Sequence, residues 1–387
     1  MRYFDLQRLS AAASLRSMRG SLGIIIVSVA TVSVILAADW KVVRLHNRDY
    51  VTFANLGAFY QFPEYIRVSN AVSLRGQHRG IRAQGGTSEL YINGVRFFTS
   101  FSILSNGNEE LISAMDVGKI VEPVLRPSRL STGEKVETVV LDPGHGGMDH
   151  GASNHWGVEK SFTLDVAQQA RAHLQRAGYQ VELTRTSDTA VSLEDRVKFA
   201  NRFQNALFVS IHFNSGSGGT GLESYALAPD GVPSNASSGE NHSTTTDTQW
   251  CPGNKYDGNN IALTAALHAT ALTRLSMLDR GVRHARFHVL RNINIPGVLI
   301  EAGFLSHPAE GQRIATAQFR QQLGGAIAQG VQNYDGAVNY RATAQTFAAA
   351  RTNLPAHQLS ITEPLSDAMP RPRDLRHEPS VSISGGK

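Results

Sequence analysis

Four residues of this chain have types and positions suited to hydrolytic chemistry: His145, Glu159, His212 and Glu301. His145 lies in Leu141-Asp142-Pro143-Gly144-His145-Gly146-Gly147, where a strand-like run beginning at Val136 breaks into a glycine turn. His212 ends the apolar run Ala206-Leu207-Phe208-Val209-Ser210-Ile211, and Glu301 ends Gly297-Val298-Leu299-Ile300. Glu159 stands where a helical pattern begins. Two imidazoles and one carboxylate with a fourth position open form the usual ligand set of a catalytic zinc. Zinc lowers the pKa of its bound water to about 7, and a nearby carboxylate can take the proton. The chain has a single cysteine, Cys251, so a metal here must be held by His, Asp or Glu.

These side chains share one site only if their elements share one sheet edge. The pattern from Val136 is strand, loop, helix, repeated. Strands are expected over 136–141, 179–185, 206–212, 222–227 and 297–301. Helices are expected over 159–177, 193–203, 259–278, 308–315 and 318–334. In the first helix Phe162, Val166, Ala170 and Leu174 fall on one face, and Gly178 ends it. Unbroken apolar strands alternating with helices imply an α/β fold, a twisted, mostly parallel (mixed) sheet with helices on both faces. If the strands that end in His145, His212 and Glu301 are parallel, their tips meet at the sheet's carboxyl edge, where open α/β sheets bind ligands.

Ahead of this lie a small β-rich α+β module and an N-terminal hydrophobic segment. Residues 1–20 carry four arginines against one acid, and 20–38 carry no charge. A basic flank before an apolar run marks a secretory signal or an N-terminal anchor. Residues 39–128 read as the module. Its clearest feature is Leu90-Tyr91-Ile92-Asn93-Gly94-Val95-Arg96-Phe97, a hairpin whose Asn-Gly suits a type I′ turn, and a short helical pattern covers 111–124. Residues 129–135 read as a linker and 136–336 as the metal domain. The Gly/Ser/Thr-rich stretch 215–258 reads as an insertion, and 337–387 as a disordered tail. The formal charge of +5 suits an anionic polymer, and with no basic stripe interleaved with aromatics no nucleic-acid partner is expected. Contact with a membrane is expected only through residues 20–38.

Seven motifs in one order give residues 136–336 a specific resemblance. They are Leu-Asp-Pro-Gly-His145-Gly-Gly, Glu159-Lys160, Leu193-x-x-Arg196-x-x-x-Ala200-Asn201 and Phe208-Val-Ser-Ile-His212-Phe-Asn214. Asp279-Arg-Gly-Val282, Phe287-x-Val-Leu-Arg291 and Pro296-Gly-Val-Leu-Ile-Glu301-Ala-Gly-Phe304 complete the set. This stretch resembles the zinc-dependent N-acetylmuramoyl-L-alanine amidases of the amidase-3 type. The resemblance implies that His145, Glu159 and His212 bind zinc and that Glu301 is the catalytic base. It also implies that the scissile bond is the amide between the muramyl lactyl group and L-alanine of peptidoglycan. An exported enzyme of the periplasm or cell envelope follows, its substrate peptidoglycan and its one cofactor Zn2+. Some amidases of this type carry an insert that plugs the site until an activator removes it, so an activator protein acting on 215–258 is a further expectation.

The other polar residues are weighed against structural roles. Arg291 and Glu223 are candidate substrate contacts. Asp142 is expected to hydrogen-bond the glycine turn or to orient His145 from behind. The remaining histidines read as structural, and Cys251 as incidental. Two other functions compete: a wall-binding protein that keeps the fold without the reaction, and a zinc peptidase acting on the stem peptide. The presence of all four key residues opposes the first. The absence of two ligands three residues apart opposes the second.

Overall fold

The structure, a computed structural model, describes residues 40–130, 135–235 and 248–339. The signal or anchor expected at 1–38 and the tail expected at 337–387 lie outside these residues, apart from 337–339. Among the described residues no helix is long and apolar enough to cross a membrane.

The N-terminal module opens with β1 (Val42–Leu45), β2 (Arg48–Thr52) and α1 (Phe53–Phe59), followed by β3 (Glu64–Val68) and β4 (Ala71–Arg75). Then come β5 (Gly80–Gln84), β6 (Glu89–Ile92), β7 (Val95–Phe98), β8 (Leu104–Ser105) and β9 (Glu110–Ser113). Asn93 and Gly94 both take positive φ, the geometry the Asn-Gly hairpin requires. The helical segment starts later than its sequence pattern, because Leu111 and Ile112 pair with β2 as part of β9. α2 (Ala114–Asp116) and α3 (Glu122–Leu125) bracket one wider turn, and a short turn over Pro127–Leu130 follows.

The second half contributes β10 (Thr138–Pro143), a small hairpin of β11 (Ser153–Asn154) and β12 (Gly157–Val158), α4 (Glu159–Arg176) and β13 (Gln180–Leu183). Then come α5 (Leu193–Ala200), β14 (Ala206–Asn214), β15 (Leu222–Leu227), α6 (Asp257–Leu275) and β16 (Asp279–Ala285). The chain continues through α7 (His288–Arg291), β17 (Gly297–Phe304), α8 (Pro308–Ile314) and α9 (Ala317–Asn339). Eleven strands form one mixed sheet in the order β13-β10-β14-β17-β15-β16-β7-β6-β5-β4-β3. β13, β10, β14 and β17 are mutually parallel, and β15 runs antiparallel to β17.

Burial follows the pattern of side chains. Every residue of β10, β15 and β17 is buried, as expected for strands covered on both faces. α4, α6 and α9 pack on one face around Val139, Leu141, Val209, Ile211 and Val298. α5 and α7 cover the other, where Val197, Ala200, Val289 and Leu290 meet Val140, Phe208 and Leu299. Each fully buried Leu, Ile, Val or Phe contributes about 1.5–3 kcal/mol of transfer free energy. α9 lies close to its neighbours because Gly324 and Gly330 have no side chain. A Cβ at Gly324 would stand 2.6 Å from Gln169 and one at Gly330 2.7 Å from Leu267.

Three expectations change. The 215–258 stretch is not a simple insertion, because β15 lies within it and forms an interior strand of the sheet. Asp279–Ala285, just past the helix expected over 259–278 and where no strand was expected, is strand β16. The N-terminal module, expected as a separate unit ahead of the linker at 129–135, is continuous with the sheet. β7 pairs with β16, and Ala226, Ile261 and Val282 are buried in the module's own apolar core. Lys119 pairs with Asp257 at 2.8 Å, and the Arg283 guanidinium lies 3.7 Å above the Phe98 ring.

Candidate active site

The tips of β10, β14 and β17 lie side by side because these strands are parallel and adjacent. Just past the tip of β10 the chain turns, and His145 takes φ 61°, a left-handed conformation that non-glycine residues adopt with strain. Two buried arginines hold that turn. Arg196 donates to the carbonyls of Pro143 (2.9 Å) and His145 (2.7 Å). Arg185 donates to those of Pro143 (2.9 Å) and Gly144 (2.8 Å). Gly144 must be glycine, since a Cβ there would stand 2.3–2.7 Å from the His212 ring.

Glu159 is the first residue of α4, where the helix dipole favours an anion. It is buried, and its two oxygens accept the backbone N–H groups of Ala152 (2.8 Å) and Phe213 (3.0 Å). The same carboxylate faces His212 Nδ1 at 3.0 Å and His145 Nε2 at 3.1 Å. His145, Glu159 and His212 thus offer ligand atoms within 4.8 Å of one another, the one such His/Cys/Asp/Glu group among the described residues. Burial works to raise the Glu159 pKa, but the two histidines outweigh it and hold the carboxyl well below its usual range. For His145 burial works downward, and the Glu159 and Asp149 carboxylates carry the net shift upward.

Glu301 stands opposite His212 on β14 and opposite Glu223 on β15, and is 5% exposed. It lines the same cleft of about 700 Å³ as the three candidate ligands, with Leu193, Phe287 and Val289 as apolar wall. A cleft of this size with few convergent polar groups has the character of a small-ligand or polymer-segment site.

The other candidates are placed differently. Glu223 is fully buried and does not line the cleft. It accepts from Arg280 (2.9 Å), Asn214 (3.1 Å) and the Tyr225 hydroxyl (3.0 Å), so it serves the wall behind Glu301 and not a substrate contact. Arg291 ends α7 and likewise does not line the cleft. Asp142 does not orient the His145 ring. Its carboxylate takes the hydroxyls of Thr184 (2.6 Å) and Ser210 (2.8 Å) and pairs with Arg196 at 2.5 Å. Burial raises its pKa, and the Arg196 charge with these hydrogen bonds brings it below the ordinary value. The acceptor at His145 Nδ1 is Asp149, at 2.9 Å, which the sequence reading passed over. Its one signal was an acid inside the glycine-rich turn, four residues after the histidine.

A mixed α/β sheet with two histidines, a glutamate at a helix N-terminus and a second glutamate at one strand edge has the outline of a metallohydrolase. Residues 139–333, half of the chain, match the model of the N-acetylmuramoyl-L-alanine amidase family, and the chain belongs to that family. It is 36% identical over 196 residues to the sporulation-specific N-acetylmuramoyl-L-alanine amidase of Bacillus subtilis, covering 50% of this chain and 66% of that protein. It is 33% identical over 271 residues to the amidase AmiC of Neisseria meningitidis serogroup B, covering 64% of each. The second match therefore extends outside 139–333. In both cases the chain spans slightly less than two thirds of the relative's length. Among solved structures, an N-acetylmuramoyl-L-alanine amidase from Clostridium difficile 630 is 32% identical, with a TM-score of 0.43 over 52% of this chain and 97% of that one.

Proposed function

We propose that this chain is an exported zinc hydrolase that cleaves the amide between the lactyl group of N-acetylmuramic acid and L-alanine in peptidoglycan. The observation that carries this reading is the convergence of His145, Glu159 and His212 within 4.8 Å beside Glu301, on one cleft wall. The donors fit zinc. Two imidazole nitrogens and a carboxylate oxygen point at one position, and the cleft leaves that position open to a water and a substrate carbonyl. Bound zinc supplies Lewis acidity, polarising water and the scissile carbonyl.

The protein's own residues do the rest. Glu301 takes the proton of the attacking water and returns it to the departing alanine nitrogen, acting as base and then as acid. Its near-complete burial limits competition from bulk water for that proton. Leu193, Phe287 and Val289 give the cleft an apolar wall against which the substrate displaces water. Export rests on the basic and apolar grammar of residues 1–38, and a place in the envelope on a peptidoglycan substrate. An activator acting on 215–258 stays part of this reading, and 236–247 of that stretch lie outside the described residues. Within its described parts, β15 is an interior strand of the sheet and Ser215 lines the cleft.

Metal content and turnover measured on the same preparations test the assignment. The wild-type protein is expected to carry one zinc per chain. His145→Ala and His212→Ala should lose it. Glu301→Gln should keep it while the rate falls by about 10²–10⁴-fold. Zinc retained by both histidine variants would overturn the site.

A further inference from the structure

Both candidate histidine ligands are packed against a glycine. The His212 ring lies against Gly144 so closely that even a methyl group there would collide with it, so packing fixes its orientation. The His145 ring lies as close to Gly151, where a Cβ would stand 2.5–2.7 Å from its Cδ2 and Nε2. Its backbone sits in a left-handed turn rich in glycine. Asp149 meets the nitrogen of this ring that faces away from Glu159. Its Oδ2 lies 2.9 Å from Nδ1 of His145, while Nε2 of the same ring lies 3.1 Å from Glu159. A neutral imidazole has one N–H, and donating it to Asp149 leaves the Nε2 lone pair directed at the place where His212 and Glu159 converge.

Asp149 is itself held in place. Gly146 and Asp149 exchange both backbone hydrogen bonds, at 2.9 and 3.2 Å, closing a tight loop that starts next to the ligand it serves. Its second oxygen accepts the N–H of Gly151 at 3.1 Å. The side chain is 67% exposed on the cleft wall, so core packing does not explain it, and an exposed ion pair alone contributes little to stability.

We propose that Asp149 is the positioning residue of His145, fixing its tautomer and ring plane so that Nε2 is delivered to zinc. The inference rests on the zinc reading of the site. Carboxylates on the far nitrogen of a metal-bound histidine orient the ring and raise its basicity, and their loss weakens metal binding by about 10–100-fold.

The experiment compares the full-length wild type with Asp149→Ala and Asp149→Asn. The zinc dissociation constant is read by competition with a chromophoric chelator, and the visible spectrum is recorded after cobalt(II) substitution. The unfolding midpoint of the metal-free protein is measured alongside. The expected result is a dissociation constant about 10–100-fold higher for Asp149→Ala. A smaller increase is expected for Asp149→Asn, whose amide oxygen can still accept from Nδ1. The cobalt spectrum should be altered and the metal-free midpoint unchanged. Wild-type-like zinc affinity in both variants overturns the proposal and leaves the zinc site standing. A metal-free midpoint that falls in step with affinity also overturns it, because Asp149 would then act by holding the loop. A wild-type protein that binds no zinc overturns the functional reading and this proposal with it.

Discussion

The Arg196 guanidinium joins more of the site than any ligand does. It pairs with buried Asp142, holds the carbonyls of Pro143 and His145, and donates to Val191 (3.2 Å), whose loop forms the facing cleft wall. Removing one partner of a buried ion pair leaves an uncompensated charge, at a cost of about 3–5 kcal/mol. Arg196→Met is therefore expected to lower the unfolding free energy of the metal-free protein by that amount in a urea titration. A loss below about 1 kcal/mol would show that Asp142 is compensated by its other partners. The pair also has a pH signature. The folded-state pKa of Asp142 lies below its ordinary value, so its contribution is present above the unfolded pKa and is lost as pH falls through the lowered one. At this scale the sequence was legible where a polar residue follows an apolar run, as His145, His212 and Glu301 do. Asp149, Arg185 and Arg196 act through backbone carbonyls or a ligand's far nitrogen, and such contacts leave no periodic trace. Glu223 was misread for the opposite reason. A carboxylate beside the cleft looks exposed until the arginines of the next strand are known to bury it.

β16 shows why one strand escaped notice. Asp279-Arg280-Gly281-Val282-Arg283-His284-Ala285 is too charged to read as interior, yet it pairs with β15 on one side and β7 on the other. Its cations are used internally: Arg280 and Arg283 meet Glu223, and Arg286 just beyond holds the carbonyls of Pro229 (2.9 Å) and Gln249 (2.8 Å). His284 is the exception. It is 1% exposed, neither ring nitrogen has a hydrogen-bond partner among the described residues, and burial pushes its pKa down to about 4. The unfolded chain binds this proton near pH 6.5 and the folded one only near 4, so stability falls as pH drops through that window, by on the order of 3 kcal/mol. His284→Leu is expected to flatten this decline and to raise the melting temperature at pH 5. An unchanged pH dependence would place the titration elsewhere. The loop stems permit a second test. Gly231 N–H donates to Thr248 O at 2.9 Å, so excising 236–247 should preserve folding and zinc binding, whereas excising 215–258 removes an interior strand and should abolish folding. A folded, zinc-binding product of the larger deletion would contradict the sheet order.

Eleven strands of the described residues make one continuous sheet, with a functional edge at the tips of its parallel strands and with β3 to β7 of the N-terminal module continuing it beyond β16. Alternating strands and helices made the second half readable. The junction with the module was not readable, because it depends on one strand pairing and on apolar residues scattered across three elements. A chain starting at residue 136 would expose Ala226, Ile261 and Val282 to water. It is expected to aggregate or to melt at a lower temperature than the full chain, and an equally stable monomer would show that the module contributes nothing to the core. The central claim concerns which bond that edge breaks. The most direct measurement is mass spectrometry of purified peptidoglycan after digestion by the zinc-loaded protein. The expected result is intact stem peptides with a free amino group on L-alanine and glycan strands that keep their lactyl groups, with no products from metal-free protein. Cleavage between amino acids of the stem, or no cleavage at all by zinc-loaded protein, would contradict it.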